Sequence, residues 1–460
     1  MKLMGAQADL ETLLDESPMS PFQILIVVLC GLLVMIDGFD TQVIGMVAPA
    51  IAEAWHLPAA AFGPVFGIGL LGGLVGALTL GSSGDKFGRK PILIVAVLLW
   101  ASMSLCITHA HTLQQLMILR LLSGFGLGSA LPGLIALTSE YAPRNIRASV
   151  TALMYTGFPI GSVLAGVASA QFIPRFGWSS VFYVCAIFPF CLLPLFAFVA
   201  PESLRFLALK GRREKVEKIL ARMNCAGKWN GQVGRVAHVQ GSPIVALFQG
   251  GRALGTALLW ATLFLSLLLG VFLVSWLPLL ARAEGIGLKS AVLSVSALNL
   301  GAVLGCFLIG RLAKRFGPAP PIAAAYGLGG VAVACMSLVI HSGAGLLITT
   351  FVAGGFVIGA QMSAIGLSAS FYDTGLRATG VGWSLGSGRV GAVVGPVVGG
   401  LLIARHVPLP FLFVIAGGVG LVASACVFMI PVAVRRVRGP TEAVGAIDAA
   451  HDMAEPTPAQ

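Results

Sequence analysis

Four charged side chains interrupt otherwise apolar stretches of this sequence. Asp37 and Asp40 lie in Ile36-Asp-Gly-Phe-Asp-Thr-Gln42, Arg120 opens Arg120-Leu-Leu-Ser-Gly-Phe-Gly-Leu-Gly128, and Arg389 sits in Gly386-Ser-Gly-Arg-Val-Gly391. A charge at the centre of a bilayer costs about 2.5–3.5 kcal/mol on insertion scales, so each needs a reason. The two aspartates fall about 22 Å along the first apolar run at 1.5 Å per residue, and their i,i+3 spacing puts them on one helix side. Two carboxylates this close in a low dielectric resist ionising together, which suits one of them to loading and releasing a proton. The plainer alternative is that they only hydrogen-bond neighbouring helices. One arginine can pair with Asp37 or Asp40, and the other can grip a carboxylate through two parallel hydrogen bonds. Arg389 is assigned to such a substrate, and Arg120 is divided between substrate and proton path. The positions about 230 residues away hold Thr350 and Pro159, so neither arginine is repeated in the other half of the chain.

Other polar residues within apolar runs are candidate cavity-lining groups: Tyr155, Thr156, Trp276, Asn299, Gln361, Trp383 and Ser384. Each alone also fits as helix glue or as an interfacial anchor. Asn299 is the strongest because it lies mid-run; Trp276, before Pro278, reads equally as an anchor. At the ends of apolar runs, Asp85, Lys86, Arg89 and Lys90 share one short loop, and Glu140, Arg144 and Arg147 share the next junction on the same side. Opposite charges at facing helix ends can latch that side shut. Topology alone explains Lys86 and Lys90 but not Asp85 or Glu140. No nucleophile triad, metal-ligand spacing or G-x-x-x-x-G-K-[ST] loop is present, so the sequence predicts neither an enzyme nor a cofactor and leaves an ion gradient as the energy source.

The elements that must carry these residues are membrane helices. The 460-residue chain is 57% hydrophobic and 10% charged, with a mean hydropathy of +0.93. Soluble domains carry about 25% charged residues, and a soluble fold could not hide this much apolar surface. Apolar runs appear at about 22–48, 60–82, 91–108, 112–135, 147–171 and 178–200, then at 255–280, 290–312, 321–340, 345–370, 378–404 and 409–432. The predicted organisation is a segment over 1–20, a six-helix bundle over 21–200, a polar linker over 201–253, a second bundle over 254–432 and a disordered tail over 433–460. Gly81-Ser-Ser-Gly-Asp-Lys-Phe-Gly88 and Gly310-Arg-Leu-Ala-Lys-Arg-Phe-Gly317 recur at an offset of 229, and Tyr141 and Arg147 match Tyr372 and Arg377. Two parallel six-helix repeats with a site between them is a transporter architecture.

The net charge of +11 reports topology. Of 29 Lys and Arg, 23 fall on one side of the predicted membrane, which places both termini and the linker in the cytoplasm. With no compact basic domain, nucleic acid is excluded as a partner. The eight cysteines form no C-x-x-C; seven lie in apolar runs and read as small hydrophobes. The polar, acidic amino terminus is not a cleavable signal peptide.

The segment Gly81 to Lys90 resembles the signature loop of the major facilitator superfamily, and Arg120 to Gly128 resembles its fourth-helix motif. Asp37-Gly-Phe-Asp40, Leu131 to Glu140, Pro201-Glu-Ser-Leu-Arg-Phe206, Ser275-Trp-Leu-Pro278 and Arg377 to Arg389 are similar to the aromatic acid:proton symporter family within it. That resemblance implies an all-α membrane protein of twelve transmembrane helices in two pseudo-repeats, importing an aromatic carboxylate such as a hydroxybenzoate or phenylpropionate with a proton by alternating access. It implies a bacterial inner membrane, a monomer, and transport roles for Asp37, Asp40, Asp85, Arg120, Glu140, Arg377 and Arg389. The alternatives are another carrier of the same fold, for dicarboxylates or for drug export, or a sensor without flux. The chain departs from the family pattern at Lys314, Ala319 and Tyr372-Asp-Thr374, all in the second half.

Overall fold

The computed structural model describes residues 9–225, 229–232, 243–372 and 376–452. The departure at Asp373, parts of the 1–20 and 201–253 segments, and the last eight residues lie outside them. Twelve of the described helices are long and apolar enough to cross a bilayer: α1 (Pro21–Trp55), α2 (Ala59–Phe87), α3 (Arg89–Ile107), α4 (Leu113–Tyr141), α5 (Ser149–Phe176), α6 (Ser179–Val199), α7 (Ala253–Ala283), α8 (Leu288–Phe316), α9 (Ala319–Val339), α10 (Gly343–Phe371), α11 (Thr379–Ala404) and α12 (Leu409–Ile430). Several run past the apolar stretches that predict them, because a helix ends at its caps and not at the hydrocarbon boundary. Ser20 begins α1 with a capping box closed by Gln23. The backbone of α12 stays helical to Asp452, where the sequence predicts a disordered tail.

Packing repeats with a six-helix step. In the N-terminal bundle α1 packs on α5, α2 on α4, and α3 on α6; in the C-terminal bundle α7 packs on α11, α8 on α10, and α9 on α12. Small residues set the closeness of the second pair in both bundles. A methyl at Gly128 would strike the Gly73 carbonyl on α2, and one at Gly305 would strike the Gly355 carbonyl on α10. The two bundles meet along α1–α7, α2–α11 and α5–α8.

One face of this assembly carries the linker helices Leu204–Leu209 and Arg213–Arg222 and the start of α1; we call it the linker face. The named contacts between bundles run from mid-depth to the opposite face. Gln42 pairs with Asn299, Ser296 Oγ donates to the Val163 carbonyl (3.1 Å), Phe66 meets Trp276 edge-on, and Arg282 pairs with Glu53 (2.6 Å).

On the linker face a small apolar cap joins three sequence-distant segments. Leu10, Leu13 and Leu14 of the Leu10–Glu16 helix pack with Val216, Leu220, Met223 and Trp229 of the linker and with Phe22 of α1. Asp9 caps that helix by accepting from the Thr12 amide, and hydrogen bonding to Thr12 holds its carboxyl below the usual carboxylate range.

Candidate functional site

The predicted charges divide between two environments. Asp40 is fully buried inside the N-terminal bundle, where its carboxylate accepts from Ser104 Oγ of α3 (3.0 Å) and, more distantly, Ser123 Oγ of α4 (3.5 Å). The Arg120 guanidinium of α4, 5% exposed, lies 3.4 Å from the same carboxylate. Arg120 is therefore engaged within its own bundle, on the aspartate side of the two roles the sequence left open to it. Among the described residues its Nε has no hydrogen-bond partner.

Asp37 sits about 60° further round α1, and that rotation changes its neighbours. It accepts from Thr41 Oγ1 (3.2 Å) and lies within electrostatic range of Arg389, on the other bundle, as well as of Asp40. Tyr155 lies within range of both Asp37 and Arg389. Gly38 makes this convergence possible. Its missing side chain lets α1 touch the Phe158 backbone of α5, where a methyl would overlap the Phe158 carbonyl. Ser162 Oγ donates to the Gly38 carbonyl (3.2 Å) and holds the contact. Tyr155 stacks parallel to Phe158 (ring centroids 6.0 Å, 4° apart) and leaves 37% of its surface exposed.

Arg389 approaches from α11. Val393 and Val397, four and eight residues on, contact Gly67 of α2, and Gly400 abuts Gly63. The i, i+4, i+8, i+11 spacing puts Arg389 on the α11 face turned toward the N-terminal bundle. Trp383 lies elsewhere. It shares its side of α11 with Val390, Val394 and Leu401 (i+7, i+11, i+18), of which Val390 and Leu401 are exposed, and it stacks on Trp260 at 5.7 Å. Trp383 is thus half-exposed and stacked within the C-terminal bundle, on a different side of α11 from Arg389.

Asn299 is at the bundle interface as predicted, but it is already partnered. Its Nδ2 donates to Gln42 Oε1 (2.7 Å) and to the Val295 carbonyl (2.9 Å), and Gln42 Nε2 donates back to Asn299 Oδ1 (3.2 Å). Gln361, partly buried on α10, turns its Oε1 toward Gly270 of α7 inside the C-terminal bundle. Trp276 is fully buried and donates to the Pro396 carbonyl, so it is a core residue joining α7 to α11. Thr156 and Ser384 spend their hydroxyls on carbonyls of their own helices.

At the linker face, Arg89 joins Glu140 (2.5 Å) and, more loosely, Asp85 (3.4 Å). These three predicted gate residues form one cluster on the N-terminal bundle. Arg144 and Arg377 stand apart from it. Arg144 is exposed and its backbone N–H donates to Asp15, while Arg377 is exposed at the start of α11. The sequence reading missed the partners that organise this face. Glu202 accepts from the backbone N–H groups of Arg89 (2.8 Å), Lys90 (3.2 Å) and Ser203 (2.8 Å), capping α3 from the linker, and Asp15 pairs with Arg147 (3.2 Å). The family-like stretch Pro201 to Phe206 marked Glu202 without naming its partners, and nothing local marks the second.

The paired bundles, the charged residues at mid-depth and the signature loop now have a counterpart in known proteins. The sequence profile of the Major Facilitator Superfamily matches residues 30–384. The chain belongs to that superfamily. Among curated relatives of this superfamily member, a gallate transporter of Pseudomonas putida is 36% identical over 417 residues, covering 90% of this chain and 93% of the relative. The 4-hydroxybenzoate transporter PcaK of Pseudomonas aeruginosa is 36% identical over 400 residues (86% and 89%). The 3-(3-hydroxy-phenyl)propionate transporter of Escherichia coli is 36% identical over 380 residues (82% and 86%). The fold matches a partially occluded, inward-open structure of the xylose transporter XylE from E. coli, with a TM-score of 0.68 at 18% identity over 89% of this chain and 97% of that one. This major facilitator protein is thus a multi-pass membrane transporter with twelve candidate spans.

Proposed function

We propose that this transporter imports an aromatic carboxylate together with a proton by exposing a central site alternately to the two membrane faces. The observation that carries this reading is that Asp37 and Tyr155 of one bundle lie within electrostatic range of Arg389 of the other. The relatives named for gallate, 4-hydroxybenzoate and hydroxyphenylpropionate share one ligand chemistry, a ring bearing a carboxylate, and they support the substrate class. The Tyr155–Phe158 ring pair offers a stacking surface, worth about 0.5–1.5 kcal/mol beyond buried area. The Arg389 guanidinium offers two parallel donors to the carboxylate. Asp37 couples the two cargoes through competition. As a carboxylate it holds part of the Arg389 field; once protonated it leaves that field to the substrate anion. Asp40 and Arg120 form a sealed pair behind it that fixes α1 against α3 and α4.

In this reading the structure is the state sealed at the face away from the linker, with the site reached from the cytoplasm. The test is uptake of radiolabelled 4-hydroxybenzoate into liposomes holding the purified protein, with and without an imposed pH gradient. Gradient-driven accumulation is expected and should vanish with a protonophore. Asp37→Asn should still exchange substrate across the membrane but no longer concentrate it. Arg389→Lys should weaken binding about tenfold, because an ammonium cannot reproduce the forked geometry. Accumulation by Asp37→Asn equal to that of the unmodified protein would overturn the coupling assignment. Binding without accumulation in every condition would favour a sensor.

A further inference from the structure

The reciprocal amide pair between Gln42 and Asn299 is a buried side-chain-to-side-chain contact in an interface whose other polar links are the Ser296–Val163 hydrogen bond and the exposed Glu53–Arg282 pair. Gln42 is 6% and Asn299 4% exposed, and they bridge α1 of one bundle to α8 of the other through two hydrogen bonds of 2.7 and 3.2 Å. Gln42 lies five residues beyond Asp37 along α1, about 7.5 Å toward the face away from the linker. Beyond it the same seam continues. Gly45 abuts the Val274–Ser275 backbone, Ser296 reaches the Val163 carbonyl, and Glu53 pairs with Arg282 at the rim. The rim pair leaves 56% and 39% of its side chains exposed and is screened by solvent, so it contributes little.

We propose that Gln42 and Asn299 form the polar gate that seals the central site from the face opposite the linker, so that separating these two amides is the step that admits substrate. The inference rests on the alternating-access reading above. Its physical basis is an asymmetry in what water can replace. With the gate shut, each amide satisfies the other in a dry interface. With the gate open, water takes over the same hydrogen bonds, so opening leaves no donor or acceptor stranded. An amide pair therefore permits both states, where an apolar pair would favour closure and a lone amide would oppose it.

Two opposite shifts follow. Gln42→Leu leaves Asn299 Oδ1 without its donor in the closed interface, while Nδ2 keeps the Val295 carbonyl, and should move the closed/open ratio toward open by about tenfold. The double change Gln42→Leu/Asn299→Leu leaves no stranded amide and exposes two apolar side chains on opening, so it should lock the gate shut. The swap Gln42→Asn/Asn299→Gln keeps an amide on each side and should behave most like the unmodified chain.

Hydrogen–deuterium exchange of the full chain in lipid nanodiscs, without substrate, reads the gate directly through peptides covering residues 46–58 and 276–287. Exchange there should rise in Gln42→Leu, fall below the unmodified level in the double leucine variant and return toward it in the swap. Liposome uptake of 4-hydroxybenzoate should be lost in the double variant while its binding from the linker face persists. If both leucine variants shift exchange in the same direction, or neither shifts it, the pair is packing only and the proposal is overturned. Should Gln42→Leu not fold, the reduced exchange of the double variant relative to the swap decides the matter alone. The exchange result does not depend on substrate identity, so loss of the aromatic-acid reading would leave it standing.

Discussion

Replacing Arg120 by alanine isolates the buried pair on which the N-terminal bundle is built. The Nη1–Oδ2 separation of 3.4 Å gives a Coulomb attraction of about 5 kcal/mol at an effective dielectric of about 20. Desolvation of both charges offsets much of that attraction while the pair is intact, but removing one partner leaves the other buried without compensation, which typically costs about 3–5 kcal/mol. Two features place this case near the lower end. Ser104 still donates to Asp40 at 3.0 Å, and the Arg120 Nε–H has no partner to lose. Arg120→Ala should therefore destabilise the protein by about 3 kcal/mol. The assay is unfolding in mixed detergent micelles at rising dodecyl sulfate fraction, followed by far-ultraviolet circular dichroism. Arg144→Ala is the control, because the Arg144 side chain is exposed and only its backbone N–H is engaged. Asp40→Asn should also destabilise, since it strands the guanidinium. The double variant Arg120→Ala/Asp40→Asn removes both charges and should lose clearly less than the sum of the two singles. Additive losses, or an Arg120→Ala midpoint no lower than that of Arg144→Ala, would refute the claim that these charges depend on each other.

Four further outcomes separate residues by environment. Trp383→Ala should leave 4-hydroxybenzoate affinity within about twofold, measured by equilibrium binding, because the ring is committed to its stack on Trp260 and lies on a different side of α11 from Arg389. Gly128→Leu should cost at least about 2 kcal/mol in the same micelle assay, with a sharp drop in folded yield, because it drives a side chain into the Gly73 backbone. Gly382→Ala, which meets nothing within 4 Å on α11, should instead be neutral or gain up to about 1 kcal/mol from helix propensity. Glu202→Ala should lower stability by about 1–2 kcal/mol through the uncapped N–H groups of Arg89 and Lys90, with substrate affinity unchanged.

The spans, the repeat and the rarity of charge inside apolar runs were legible in the sequence because each is a property of composition and period along the chain. A run of about twenty apolar residues needs no partner to announce a helix. The recurrence of the Gly81–Gly88 pattern at Gly310–Gly317 announced two repeats, and the packing does repeat with a six-helix step. The need for a reason behind Asp37, Asp40, Arg120 and Arg389 followed from the energetics of charge in hydrocarbon alone.

Which charge answers which was decided only by tertiary structure. Asp37 and Asp40 are three residues apart, yet 60° of helix rotation sends one toward a neighbour across the bundle interface and the other into a pocket built by α3 and α4. Arg120 could serve substrate or aspartate until α4 packed beside α1, and nothing along the chain marked Trp260 as the ring on which Trp383 stacks. Gln42 carried no signal by itself, because an amide within a span is ordinary until another is found 257 residues away. Periodicity along a chain fixes the side of a helix on which a residue lies; only the arrangement of the other helices fixes what stands on that side.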